Sequence, residues 1–341
     1  MVDITYDVAD PDSPTLTVYL KVSADGGATW KGPVELVSGD VGRGIVPGSS
    51  RGSGKRLVWD AGKEMPNQFG VKYRYRIGAS DQWLVPEGMA LIPAGPFKMG
   101  DARVAGATPV HTVTLSAFAM DKWEVSIELW KSVRAWGNAH GYDLVAGGSY
   151  GAKHPVHSVN WWEVVKWCNA RSEKEGKVPA YYVDAAMTQV YRRGNKEPSG
   201  VKWDAGYRLP TEAEWEKAAR GGVAGKLYPW GTDVISPALA NCGESQKGRT
   251  MPVGSFGANG YGLYDMAGNM WEWCWDWYGD YAQTAQNDPR GPSSGSNRVV
   301  RGGCWGGSTE FCRVANRGEY ACPGCRLSWD GFRSVLPPSQ P

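Results

Sequence analysis

Apolar and polar residues alternate at period two in short runs from Asp3 to about Asp81, and beyond that point the alternation gives way to a different texture. A period of two sends successive side chains to opposite faces of a strand, so the first part of the chain reads as half-buried β-structure. Ile4, Tyr6 and Val8 make one run, Leu16 to Val22 a second, Leu57-Val58-Trp59 a third and Lys72 to Ile77 a fourth. Asp25-Gly26-Gly27 carries turn chemistry between two of them, and Pro47 through Gly54 a loop. Residues 1–82 are therefore expected to form a small all-β sandwich of fibronectin or immunoglobulin type. Folds of this class carry no default activity, so the module reads as a spacer and receives no site.

Residues 83–341 form the second expected domain, and a chain of 341 residues is long enough for both parts to bury a core. It opens with Met89 to Gly100, a buried strand interrupted by Pro and Gly, followed by His111 to Leu115 at period two. Two amphipathic helices are expected, Val159 to Glu173 and Thr211 to Arg220, the second with Thr211 as N-cap and Glu214 completing a capping box. The 46 Gly and 22 Pro make the remainder turn-rich, and 18 Trp against 6 Phe make large amphipathic rings the main packing material.

A formal charge of +2 sets up no field that would favour nucleic acid, an anionic membrane or an acidic substrate. No apolar run is long enough to span a bilayer, and MVDITYDVAD lacks the basic and apolar regions of a signal peptide. Seven cysteines leave at least one thiol without an intrachain partner, and a complete disulfide framework is not expected.

Several blocks recur in a recognisable order: Ile92 to Gly100, His154 to Trp161, Tyr207 to Trp215, Tyr228-Pro-Trp-Gly231, Asn259 to Trp273, Arg301-Gly-Gly303 and Gly331-Phe-Arg333. Together they resemble the formylglycine-generating enzyme family over roughly three quarters of the chain. The resemblance implies an α+β architecture, the large variant of the C-type lectin fold, with a sparse mixed sheet in a loop-dominated shell.

Physical chemistry accounts for some blocks directly. Pro210 keeps Leu209 extended, and Glu212 and Glu214 complement the positive end of the following helix, so Arg208 to Trp215 reads as structural. Asp265 and Glu272 flank Gly268 and Asn269, where side-chain and carbonyl oxygens could converge on a hard cation. The resemblance implies a structural calcium there, with Asp265, Gly268, Met270 (through its backbone) and Glu272 as ligands. The other reading pairs both carboxylates with loop amides or basic side chains. Asn241 resembles part of a second calcium site whose partner carboxylates are not recognisable.

The family's oxidase chemistry rests on a copper ion held by two cysteines in the segment after Gly-Gly. Here Cys312 matches one of them, while Gly307 stands at the position of the other, so formylglycine formation is expected to be absent or severely impaired. Cys304 is the alternative second ligand, entering from a different part of the loop. No additional helical domain with a spaced His motif is present, and His154 and His157 are expected to satisfy loop hydrogen bonds. Cys322-Pro-Gly-Cys325 lacks both the strand-then-helix setting of a redox motif and the second ligand pair of a zinc site, and is expected to be two ordinary thiols.

Between the framework residues Gly302, Gly303, Trp305, Arg313, Ala315 and Arg317 and the closing Gly331-Phe-Arg333 lies a mixture with neither strand nor helix periodicity. It comprises Cys304, Gly306, Gly307, Ser308, Glu310, Phe311, Asn316, Glu319, Tyr320, Cys322, Cys325, Leu327, Ser328 and Trp329. Rigid aromatic anchors among small adaptable residues are what a binding surface looks like. The arrangement resembles the variable proteins of diversity-generating retroelements, although Glu310, Glu319 and Trp329 fall outside the codon set that adenine-directed mutagenesis produces. The expectation is a non-catalytic ligand-binding protein with a variable surface near residues 304–329, directed at a protein or surface ligand. The alternative is a copper oxidase acting on peptidyl cysteine through Cys312 and Cys304. Surface display or secretion follows from the resemblance alone.

Overall fold

The computed structural model describes residues 85–338 and, before them, six strands at 2–6, 16–23, 37–39, 42–45, 55–59 and 74–80. Its contacts divide the chain into two units that meet between Leu84 and Val85 in the sequence.

In the first unit β1 (Val2–Tyr6), β5 (Lys55–Trp59) and β3 (Val37–Gly39) form one antiparallel sheet in the order β1-β5-β3. β4 (Gly42–Ile45), β2 (Leu16–Ser23) and β6 (Arg74–Ser80) form another, in the order β4-β2-β6. The four runs with period-two alternation all contain strands, and Ile4 and Val22 are buried. β3 and β4 are too short and glycine-rich to show the pattern. The turn expected at Asp25 to Gly27 and the loop at Pro47 to Gly54 lie outside the described residues.

In the second unit the interrupted strand becomes two. β7 (Met89–Ile92) joins β10 (Phe118–Asp121) and β18 (Val335–Leu336), whereas β8 (Gly95–Met99) joins β9 (His111–Leu115) and β14 (Gln286–Asn287). Pro93 has no amide hydrogen to continue the ladder, and Gly95 takes φ +119°, so the chain changes sheet there. A short pair, β11 (Tyr181–Tyr182) with β12 (Gly200–Val201), follows the helices α1 (Ile127–Ala139) and α2 (Trp161–Lys174).

α1 was not evident from the sequence. Its buried positions, Ile127, Trp130, Val133 and Gly137, form a narrow stripe ending on a glycine, and its N-cap is Ser126 accepting from Leu129 N at 3.3 Å. At Gly137 a Cβ would lie 3.0 Å from that of Ala170 on α2, so the two helices pack closely there. Trp130 and Trp167 stack at 5.8 Å between the two helices, with Phe332 edge-on to both. α3 (Glu212–Ala219) has the expected capping box between Thr211 and Glu214, and α2 has one between Asn160 and Glu163.

The main core gathers Ile92, Val113, Phe118, Trp215, Leu263, Val299 and Val335, from both three-stranded sheets, α3 and the four-stranded sheet. That last sheet, in the order β16 (Gly318–Ala321), β15 (Arg298–Arg301), β13 (Trp271–Trp277) and β17 (Asp330–Gly331), positions the candidate site. Its β13–β17 pair is parallel and sets Trp271 opposite Asp330. Among the described residues no helix is long and apolar enough to cross a membrane.

Candidate functional site

All four strands of that sheet contribute to a cavity of about 350 Å³, completed by Phe311, Asn316, Arg317, Leu327 and Trp329. Trp271, Val300, Phe311, Leu327 and Trp329 make its wall largely apolar. Phe311 and Trp329 are 44% and 43% exposed and form the rim, and Phe311 packs against Trp271 at 5.8 Å. Asp330 is the most buried of the lining residues, at 2% exposure. Burial pushes its carboxyl up to about 7, and its Oδ2 has no hydrogen-bond partner. The Asn316 Oδ1, in the same wall, is also without a partner.

Backbone geometry and buried charge hold these groups in place. At Gly318 a Cβ would lie 2.4 Å from Val300 Cγ2, so only glycine lets β16 close against β15 here. Trp271 N donates to Trp329 O at 2.9 Å, which ties the rim to the sheet. Arg317 makes a bidentate pair with Glu212, at 2.6 and 2.8 Å. Fully buried Arg301 donates to the Asn316 carbonyl and pairs with Glu216, which also pairs with Arg220 at 2.6 Å. Burial raises the Glu216 carboxyl, but Arg301 and Arg220 outweigh it and hold it below the ordinary range.

Of the side chains singled out in the sequence, Phe311, Asn316, Leu327 and Trp329 come together at this cavity. Ser308 instead caps the short turn Thr309–Cys312, and Glu310 faces solvent with Arg313 3.1 Å away. Gly306 and Gly307 form a turn under Cys304, whose carbonyl accepts from Gly307 N at 3.0 Å. Ser328 is half-buried and does not line the cavity. Glu319 and Tyr320 are on β16, and their side chains lie outside the described residues. Trp271 lies within one framework block and Asp330 adjoins another, so neither stood out in the sequence, and the pairing of distant strands brings them to the cavity.

One expectation is corrected. Cys322 and Cys325 are joined as a disulfide rather than being two ordinary thiols. The Pro-Gly turn between them, closed by Cys325 N donating to Cys322 O at 2.9 Å, brings their Cα atoms to 5.3 Å, within disulfide range.

Cys304 and Cys312 are both buried, and the thiol in contact with Cys312 is that of Cys242. Cys242, Cys312, Ala240, Ala267 and Tyr228 pack as one cluster, and Gly243 N donates to Gly307 O at 2.7 Å, joining the two segments. The hydrogen bond between the two sulfurs holds the Cys242 thiol below its ordinary range and, with burial, pushes that of Cys312 up. Cys242 was invisible as a candidate because it lies 70 residues from Cys312 in no recognisable motif.

The Asp265 loop is divided in its chemistry. Glu272 is fully buried and accepts from Arg333 Nε and Nη2 at 2.7 and 2.6 Å and from Trp215 Nε1 at 2.7 Å. Asp265 accepts from Gly254 N at 2.6 Å through Oδ2, while its buried Oδ1 has no partner. Burial lifts its carboxyl to about 6. Glu124, accepting from Met270 N at 3.0 Å, is raised by burial and then by the charges of Asp265 and Glu272. With Glu124 and Glu272 already bonded to protein groups, the orphaned Asp265 oxygen is the atom a hard cation could take. Gly268 lets the loop close, since a Cβ there would lie 2.3 Å from Asn241 O. Asn241 itself is bonded to Arg249 O, Asn269 and Ser245. His154 and His157 bond Thr250 and Ser158 hydroxyls, as expected, and burial lowers both rings. Among the described residues no three His, Cys, Asp or Glu side chains are arranged to hold a metal ion, so any cation at Asp265 would draw on carbonyl oxygens.

Residues 78–337 match the family described as sulfatase-modifying factor enzyme 1-like domain. The formylglycine-generating enzyme of Thermomonospora curvata is 34% identical over 289 residues, covering 74% of this chain and 95% of that protein. That of Streptomyces coelicolor is 36% identical, covering 67% and 83%. Among solved structures, Treponema denticola variable protein 1 is 34% identical with a TM-score of 0.63, covering 73% of this chain and 95% of that one.

Proposed function

The chain belongs to the sulfatase-modifying factor enzyme 1-like family and has its C-type lectin-like α+β fold, and from that premise we propose that it is a non-catalytic ligand-binding protein. Its surface around residues 304–329 would take a protein or surface ligand in the manner of diversity-generating retroelement variable proteins. The observation that carries this is the cavity with Phe311 and Trp329 half exposed at its rim and Trp271 in its wall. Rigid aromatics around a largely apolar hollow supply binding energy at low entropic cost. The likeness to Treponema denticola variable protein 1 supports it. The test is the DNA encoding residues 300–333: a nearby near-copy differing mainly at adenines, beside a reverse transcriptase gene, is expected. If none is present, diversification is ruled out.

In the same reading a structural calcium would be held by Asp265, Gly268, Met270 and Glu272, the orphaned Asp265 Oδ1 being free for it and Glu272 having to exchange its bonds to Arg333 and Trp215. Its part would be to brace the loop that leads into β13.

A second reading, an oxidase acting on peptidyl cysteine, is favoured by the Cys242–Cys312 contact. Two sulfurs in contact suit a soft cuprous ion, which when bound would supply the chemistry with oxygen. Cys242 would then take the place left by Gly307, and the half-open cavity beside Phe311 would receive the peptide. Stoichiometric cuprous binding lost in both Cys242→Ser and Cys312→Ser, with aldehyde formed on a thiol peptide under oxygen, would establish it. The absence of aldehyde with copper-loaded protein would remove it.

A further inference from the structure

An apolar cavity ordinarily ends in apolar atoms, because a polar atom left there without a partner costs on the order of 1–3 kcal/mol. This one has a buried aspartate in its wall. Asp330 lines it at 2% exposure with Oδ2 unpartnered, and Asn316 adds a second unpartnered acceptor, Oδ1. Both missing partners are hydrogen-bond donors, and the same wall carries Trp271, Phe311, Leu327 and Trp329. Unpartnered acceptors and aromatic rings in one wall are complementary to a cation on an apolar stem.

We propose that this cavity binds a lysine side chain of a protein partner, its ammonium on Asp330 Oδ2 and Asn316 Oδ1 and its methylenes along Trp271, Phe311 and Leu327. The inference rests on the ligand-binding function proposed above and names the chemistry of the ligand. Lysine suits two acceptors on separate side chains better than arginine, because an ammonium is a compact charge with three rotatable donors, whereas a guanidinium fork is matched to the two oxygens of one carboxylate. The one cation already in the wall, Arg317, does not satisfy Asp330, because its guanidinium is committed to Glu212. Among the described residues, the buried Cys304 thiol is the titratable group that interacts with Asp330. An Asp330 carboxyl lifted to about 7 by burial gains the charge that an ammonium needs only as pH rises through that value.

The experiment is calorimetric titration of the full chain with Nα-acetyl-lysine methylamide, with the norleucine and arginine analogues as comparisons. Lysine is expected to bind about tenfold or more tightly than norleucine, the worth of one charge-assisted hydrogen bond in a dry site, and to bind more tightly at pH 8 than at pH 6. Asp330→Asn should abolish that preference while leaving thermal stability intact or raised. Equal binding of lysine and norleucine, or an unchanged preference in Asp330→Asn, overturns the lysine assignment and leaves the apolar surface as the binding site. Preference for the arginine analogue overturns lysine in favour of a guanidinium. Binding of none of the three overturns the cavity as an amine site, and the ligand-binding function is then decided separately by the DNA repeat.

Discussion

Arg333 grips the Glu272 carboxylate through Nε and Nη2, at 2.7 and 2.6 Å, and both side chains have no measurable exposure. Removing one member of such a pair strands the other charge in a dry interior. Arg333→Met is expected to destabilise the second unit by about 3–5 kcal/mol in chemical denaturation, and Glu272→Gln by a comparable amount. The double variant should lose less than the sum of the two. Strict additivity would show that the pair does not act as a unit.

Stability should fall as pH rises from about 4 to about 7, with Asp330 as one cause. Its folded carboxyl titrates at about 7 against an ordinary value of 3.8. Between these values the folded state holds a proton that the unfolded state has released, so raising pH favours unfolding. Asp276, lifted to about 8 by burial and then by Glu212, extends the decline. Asp330→Asn removes the first contribution, and its melting temperature should exceed that of the parent at pH 8 but match it at pH 4. A constant difference across that range would show that Asp330 does not titrate in it. The expected gain is on the order of 1–4 kcal/mol.

Replacing Phe311 and Trp329 together by Ala should abolish partner binding. Both are near half exposure, so each change should cost under about 1 kcal/mol of stability. A fall in melting temperature like that of a core deletion would make the two rings packing residues rather than binding ones.

Calcium at saturating excess should raise the melting temperature, by the equivalent of about 2.7 kcal/mol at a hundred times its dissociation constant. Asp265→Asn should remove the increment. An unchanged melting curve of the parent protein with calcium and with chelator would exclude a structural calcium.

The strands of the first unit were legible where alternation was strong, as at Leu16 to Val22, and so was the capping box that opens α3, because both are local signals. α1 was hidden by its narrow apolar stripe, whose last buried position is Gly137. The site was half legible. Phe311 and Trp329 stood out by residue type, but Asp330 becomes unusual only when β17 pairs with β13 and buries it. Cys242 likewise becomes a candidate only when a backbone bond from Gly243 to Gly307 brings it to Cys312. Contacts between residues far apart in the chain are what one sequence does not display.

Residues 304–329 leave the framework at Arg301 and rejoin it at Arg333, and each arginine is anchored on a glutamate outside the segment, Glu216 on α3 and Glu272 on β13. Both ends are thus clamped independently of most of what lies between them. On the function proposed above, such a stretch would serve as an exchangeable cassette, its exposed letters rewritten while the clamps preserve the frame that displays them.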